Sequence, residues 1–369
     1  MIDLLLAVLF SQGTPVEVPF PAGAEPSKPW RLLRDGKEVP FQAAGGNLVF
    51  LADGKADYRL EPGVPSASPK VECKDVDGKH LVFSAGGKDV IRYNYAVIDP
   101  PAGVDPVFAR SGYLHPIWNP AGQVISNDVP KNHLHHHGIW FPWTSSEFEG
   151  RPSDFWNSGS KQGKIECVKV DSTVSGPVFA GFTARHRFIN LNAPEGPKTA
   201  LNEVWEVRVY NLADRFAFDL VSTQTCATDK PLVIKKLRYG GLGFRGSIDW
   251  EGKEGVAFLT SERKTRVDGH ETTARWCTMT GKVGGKETSI GFLCHPSNFR
   301  APQNMRIHPD EPFFNWAPCQ AGDFSIEPGK PYVSRYRFLV AAGPLPPDAM
   351  DAAWKAYAEA PSATVSLQK

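Results

Sequence analysis

Alternation of apolar and polar side chains with a period of two runs through Val178 to Ile189, Leu201 to Tyr210, Arg215 to Thr225, Thr272 to Thr280 and Tyr332 to Val340. A chain that repeats this pattern over many segments folds into antiparallel sheets with one face turned to a core. In the last segment Tyr332, Tyr336, Phe338 and Val340 share one face, and Arg335 and Arg337 share the other. The 34 glycines and 32 prolines among 369 residues supply the turns that many strands need. The expected fold is therefore all-β: a large antiparallel β-sandwich over residues 70–345. It is preceded by a small β module at 14–68 and followed by a docking helix at 346–360. Pro346-Pro347-Asp348 opens that helix, and Met350, Trp354 and Tyr357 give it one apolar stripe. The Pro/Ser-rich stretch Glu61–Pro69 is the linker expected between the two β units, and the tail after Pro361 is expected to be loose.

A formal net charge of +1 gives no field for nucleic acid, and no apolar run is long enough to span a bilayer. Leu4 to Phe10 has the length of a signal-peptide core, so residues 1–13 read as a leader and the protein as periplasmic or extracellular. Six cysteines are compatible with an oxidising compartment, but none forms a C-x-x-C pair.

The densest chemical signal is histidine. Five of the ten lie within 23 residues, in Gly112-Tyr113-Leu114-His115-Pro116 and His133-Leu134-His135-His136-His137-Gly138-Ile139-Trp140. If the second run is extended, His133, His135 and His137 project to one side and His136 to the other. Such imidazoles can exchange protons, donate to hydroxyls or ligate a divalent metal. The candidate catalytic residues are His115, His135, His136, His137 and Glu203; alternation sets the Glu203 carboxylate on an apolar face, where it must be paired or have a raised pKa. No cofactor is expected. A divalent metal held by His133, His135 and His137 is the alternative.

Candidate substrate-binding residues are His133, Trp140, Asp154, Trp156, Arg245, Trp276, His295, Asn298, Arg300 and Arg306. Their indoles would stack on pyranose faces, and their polar groups would read hydroxyls or an anionic substituent. His295 to Gln303 and Arg306-Ile307-His308 follow an apolar strand, as binding loops do. The glycine cluster at 240–243 lacks the strand–loop–helix context of a phosphate cradle, and no G-x-S-x-G, Walker or H-E-x-x-H motif occurs.

These motifs, together with Asp154-Phe155-Trp156, Gly240 to Arg245, Arg275-Trp276 and His295-Pro296-Ser297-Asn298, occur in the order found in a bacterial domain family of unknown function labelled "methane oxygenase PmoA". The chain resembles that family over roughly residues 20 to 360. The label borrows from a multi-span membrane subunit, and a chain without a span gives it no support as chemistry. The resemblance implies a β-sandwich similar to the galactose mutarotase-like super-sandwich, often exported and encoded near carbohydrate-degrading or sugar-oxidising enzymes. By the same resemblance, His135 or His137 would act as general acid and Glu203 as general base in one cleft. The expected function is that of an exported carbohydrate-active enzyme, whether hydrolase, lyase or epimerase. A non-catalytic sugar-binding protein and a metal-dependent oxidase or oxygenase are the alternatives.

Overall fold

The computed structural model describes residues 13–52, 54–68, 70–212, 214–359 and 362–368; the leader expected at 1–13 lies almost wholly outside them. Two eight-stranded antiparallel sheets dominate. The first runs in the order Met305–Ile307, Phe313–Trp316, Gly243–Arg245, Ile139–Trp140, Tyr113–Ile117, Lys88–Asn94, His80–Ala85, Val71–Val76. The second runs Gly163–Val174, Phe179–Asn190, Lys198–Tyr210, Phe216–Cys226, Tyr332–Ala341, Lys286–Cys294, Trp276–Val283, Val256–Thr260. The long alternating segments of the sequence are the strands of this second sheet.

The sheets meet through one shared core to which Phe83, Tyr93, Leu114, Ile139, Phe244 and Phe314 contribute from one side and Phe182, Trp205, Phe218, Phe292 and Phe338 from the other. Rings touch across the interface, with Phe292 stacked on Phe314 at 4.5 Å and Phe83 meeting Phe182 at 5.7 Å. Burial of rings on this scale is the main stabilising term. A four-stranded sheet of Arg151–Ser153, Ser146–Phe148, Leu232–Ile234 and Phe324–Ile326 adjoins this core.

The Pro347–Ala358 helix lies on the outer face of the second sheet, with Met350 and Ala353 buried against Trp276, Leu293 and Leu339. Gly291 permits this contact, since a Cβ there would stand 2.7 Å from the Met350 methyl. The covered face explains why Arg337, on the polar side of its strand, is buried: its guanidinium forks onto Asp219 at 2.7 and 2.8 Å.

Residues 14–62 form two small sheets with a core of their own around Trp30, Leu32, Phe50, Tyr58 and Leu60. The tail is not loose. Ala363–Leu367 pairs in parallel with Ala56–Pro62 and adds Val365 and Leu367 to that core, an apolar alternation too short to read as a strand without its partner. All six cysteines are free thiols. Among the described residues no helix is long and apolar enough to cross a membrane.

Candidate functional site

The site lies on the face of the first sheet that turns away from the second. Leu114, Ile139, Phe244 and Phe314 point into the sandwich, so their neighbours Tyr113, Trp140, Arg245 and Phe313 take the opposite face. There Tyr113, Trp140, Trp156 and Phe313 form a separate aromatic cluster. Gly243 makes room for it, because a Cβ there would meet the Trp156 and Trp140 rings at 3.1 and 3.2 Å.

Residues 129–138, which feed the Ile139–Trp140 strand, are turns and not an extended run. The His136 amide donates to the His133 carbonyl, and the Val129 amide donates to the His136 carbonyl. The expectation that His133, His135 and His137 share one side is corrected accordingly. His133 instead stacks on His136 at 4.5 Å, and His135 meets His136 edge-on at 4.8 Å.

His137 donates from Nδ1 to Asp128 Oδ1 at 2.6 Å, and Tyr113 donates its hydroxyl to Asp128 Oδ2 at 2.8 Å. No described residue bonds to His137 Nε2. Burial lowers the His137 pKa despite Asp128, while Asp128 itself is held low against burial by His137. A neutral imidazole, fixed by a carboxylate and presenting an unshared Nε2 lone pair, is a general-base arrangement. His115 bonds Ser126 Oγ through Nδ1 at 2.9 Å, and burial takes its pKa down to about 4. His135 is likewise held at about 4, by burial first and then by His133, His137, Arg110 and Arg245. His136 is lowered further by burial among the other histidines.

Beside this group sits an ion network. Arg245, fully buried, donates from Nη1 to Glu311 at 2.5 Å and from Nη2 to Glu251 and to Asn132 Oδ1. Burial raises the Glu311 carboxyl, but the close approach of His133 and Arg245 outweighs it and brings the pKa to about 2. His133, His308 and Glu311 offer ligand atoms within 4.8 Å of one another, so the metal-capable group differs from the expected His133, His135 and His137. Its chemistry fits a cation poorly. Glu311 Oε2 already holds the Arg245 charge, and His133 Nδ1 lies 3.0 Å from the same oxygen without hydrogen-bond alignment. His308 Nδ1 is taken by the amides of Asp310 and Glu311.

Glu203 is not in this cleft. It faces the sandwich interior, 2% exposed, where Oε2 accepts from His186 Nδ1 at 2.9 Å and Oε1 accepts from Ser222 at 2.6 Å and Gln224 at 2.9 Å. Trp143 donates to Gln224, and His186 Nε2 lies 2.6 Å from the Tyr93 hydroxyl. Burial would lower the His186 pKa, but Cys167 and Glu203 outweigh it and raise it to about 8.

Other expected binding residues are committed elsewhere. Trp140 and Trp156 are buried in the aromatic cluster and offer no open face. Trp276 lies under the C-terminal helix and donates to Asp351 at 2.8 Å. Asp154 caps a turn by accepting from the Trp156 and Asn157 amides. His295 packs on Tyr357 of the helix, and Asn298 binds the Arg335 backbone. Arg300 donates to the carbonyls of Pro318, Gly322 and Asp323, and Arg306 meets His270 Nε2 at 2.9 Å. Hollows of about 530 to 540 Å³ lie against Lys253–Phe258, Pro65–Ser68 with Lys70, and Val168–Thr173, and no histidine lines them.

Two residues of the site carried no sequence signal of their own. Asp128 stands in Asn127-Asp128-Val129-Pro130, which reads as a turn, and Glu311 is one acid in a Pro-rich loop. Asp128 could have been sought as the carboxylate that a histidine-rich loop needs, nine residues before His137.

A family model described as "Family of unknown function (DUF6807)" matches residues 80–355. Its label differs from the methane-oxygenase name of the family that the sequence resembles. None of the curated proteins matches the chain. Among solved structures, a putative aldose 1-epimerase from Klebsiella pneumoniae is similar at 10% identity, TM-score 0.35, over 81% of this chain and 86% of that one. A galactose mutarotase related enzyme from Lactobacillus acidophilus is similar at 8% identity, TM-score 0.29, over 74% and 98%. A putative mutarotase from Salmonella typhimurium is similar at 11% identity, TM-score 0.33, over 74% and 97%. No activity or residue role is carried across from overlaps this loose.

Proposed function

The chain belongs to the DUF6807 family, and we propose that it is a carbohydrate-active enzyme whose general base is His137, oriented by Asp128 and working beside His115 and His135. The observation that carries this reading is the Tyr113–Asp128–His137 arrangement with Nε2 left unshared. The carboxylate fixes the tautomer, with the proton on Nδ1, so that Nε2 accepts a proton from a sugar hydroxyl or from a carbon next to a carbonyl. His115 and His135, neutral at physiological pH, donate hydrogen bonds to oxygens of the same ligand. Glu203 has no part in the proton transfer, since its oxygens are taken by His186, Ser222 and Gln224. An exported location completes the reading, supported by the apolar stretch at residues 4–10.

The test combines polarimetry for anomer interconversion with proton NMR in deuterium oxide for exchange at carbon, run across aldoses, keto-sugars and sugar acids. Wild-type turnover that falls about 1000-fold in His137→Gln, with the fold intact, is the expected result. Turnover unchanged by that substitution removes His137 from the mechanism. Sugar binding with neither reaction in the wild type makes the protein a non-catalytic binder.

A further inference from the structure

We propose that Arg245 is the positioning residue of the cleft: from a fully buried place on the first sheet it fixes the loop that sets His137 against Asp128. This rests on the reading of His137 as the general base, and it gives Arg245 a role that needs no contact with a ligand.

Asp128 and His137 stand at the two ends of one loop, and Arg245 grips both ends through its backbone. Its amide donates to the Gly138 carbonyl at 2.9 Å, and its carbonyl accepts from the Asn127 amide at 3.0 Å, so the neighbours of both partners are held by one residue. Gly138 is needed at this crossing, because a Cβ there would collide with the Leu114 carbonyl oxygen. The Arg245 side chain holds the middle of the loop. Nη2 donates to Asn132 Oδ1 at 3.1 Å, Nη1 donates to Glu311 Oε2 at 2.5 Å, and Asn132 Nδ2 donates to Glu311 Oε1 at 2.9 Å. The Asn132 carboxamide is thereby held at both of its polar atoms, in a closed ring of three side chains. Further along the loop, His136 is stacked between His133 at 4.5 Å and Phe313 at 4.7 Å, which pins the chain again just before His137.

Stability is a poor account of this arrangement. Arg245 is fully buried and lies opposite Phe313 in the ladder, where an apolar side chain would also pack. Taking a guanidinium and its carboxylates out of water is costly, and replacing such a group by apolar residues is often neutral or stabilising. What an apolar side chain lacks is direction: it cannot hold the carboxamide of an exposed residue such as Asn132 in one orientation. A loop without that tie samples several geometries, whereas a base must stay within about 0.5 Å of its working position. The contact that has to be kept is His137 Nδ1 to Asp128 Oδ1 at 2.6 Å.

The test reads His137 directly, by nitrogen-15 NMR of its imidazole across pH in the full chain, for wild type, Arg245→Lys and Asn132→Ala. The wild type is expected to hold one tautomer, protonated at Nδ1, with burial keeping its pKa below the ordinary histidine value. Arg245→Lys keeps the charge without the fork, and Asn132→Ala cuts the tie at an exposed position. In both variants His137 is expected to populate both tautomers and its pKa to rise toward about 6.5, while the urea midpoint of Asn132→Ala stays at that of the wild type. If Arg245→Lys does not fold, Asn132→Ala decides alone. A His137 that keeps its single tautomer and low pKa in Asn132→Ala, or in a folded Arg245→Lys, overturns the assignment and leaves the base reading standing. A wild-type His137 protonated at Nε2 overturns the base reading and the assignment with it.

Discussion

The protein contains two trios of the same composition, a tyrosine, a histidine and a carboxylate, on opposite sides of one sheet. In the interior trio the histidine is central: Glu203 accepts from His186 Nδ1, and the Tyr93 hydroxyl meets Nε2 and donates a hydrogen bond to Cys167 Sγ at 3.3 Å. In the cleft trio the carboxylate is central: Tyr113 and His137 both donate to Asp128, and His137 Nε2 is left over. The histidine pKa values move in opposite directions, up in the interior and down in the cleft. Residue types alone therefore do not mark a reactive site. A histidine bonded at both nitrogens is a structural cross-link, whereas one bonded at a single nitrogen can still move a proton.

The largest expected effect separates the two trios by stability. Glu203→Ala leaves the His186 charge and the Ser222 and Gln224 donors without an acceptor in the core, and should destabilise the fold by about 3–5 kcal/mol in urea denaturation. His137→Gln, which can keep a donor to Asp128 at a buried position, should cost less, about 1–2 kcal/mol. Comparable losses in both variants would mean that the cleft trio is structural too.

The sequence pattern made one of these trios legible and hid the other. Alternation along Leu201–Val209 set Glu203 beside Leu201, Trp205, Val207 and Val209 and required a partner for it. The partner proved to be His186 on the neighbouring strand, through the pairing His186↔Glu203. Register between strands is long-range information that one strand's pattern does not hold. The strands of the second sheet and the Met350–Trp354–Tyr357 stripe were readable because period and burial coincide there. The histidine run was not, because its hydrogen bonds close turns within 129–136, which an extended geometry does not contain. Trp140, Trp156 and Trp276 offer no open stacking face, because each is buried against a face of a sheet. Asp128 comes from a bend, where residue type carries no periodicity and only the fold brings it to His137.

The next effect is in pH. His186 is raised to about 8 in the fold from an ordinary value near 6.5, so its contribution is complete below about 6.5 and is lost as pH climbs through 8. The loss is about 2 kcal/mol. His115, His135 and His308 are lowered to about 4, so the stability they allow is present above about 6.5 and declines as pH falls toward 4. Denaturation midpoints measured from pH 4 to 9 should therefore peak between about 6.5 and 8. The alkaline limb belongs to the interior trio and the acid limb to the cleft, so His186→Gln should flatten only the former. An alkaline limb that persists unchanged in that variant would detach it from His186.

The smallest effect probes the wall between the trios. Residues 110–113 form it: Arg110 bridges to the Ile98 backbone, Tyr113 donates to Asp128, Ser111 Oγ accepts from the Cys167 amide, and Gly112 closes over the His186 ring. Gly112 has φ 75°, in the left-handed region, and a Cβ there would stand 3.1 Å from His186 Nε2. Gly112→Ala should cost about 1–2 kcal/mol, partly from the backbone and partly because the ring must give by a few tenths of an ångström. A displaced ring lengthens the contact between Nε2 and the Tyr93 hydroxyl, so the His186 titration followed by NMR should move toward the ordinary histidine value while the Asp128–His137 pair keeps its own. If instead both histidines shift together, the wall transmits strain, and the two trios form one coupled network through Arg110, whose charge interacts with Glu203 on one side and Asp128 on the other.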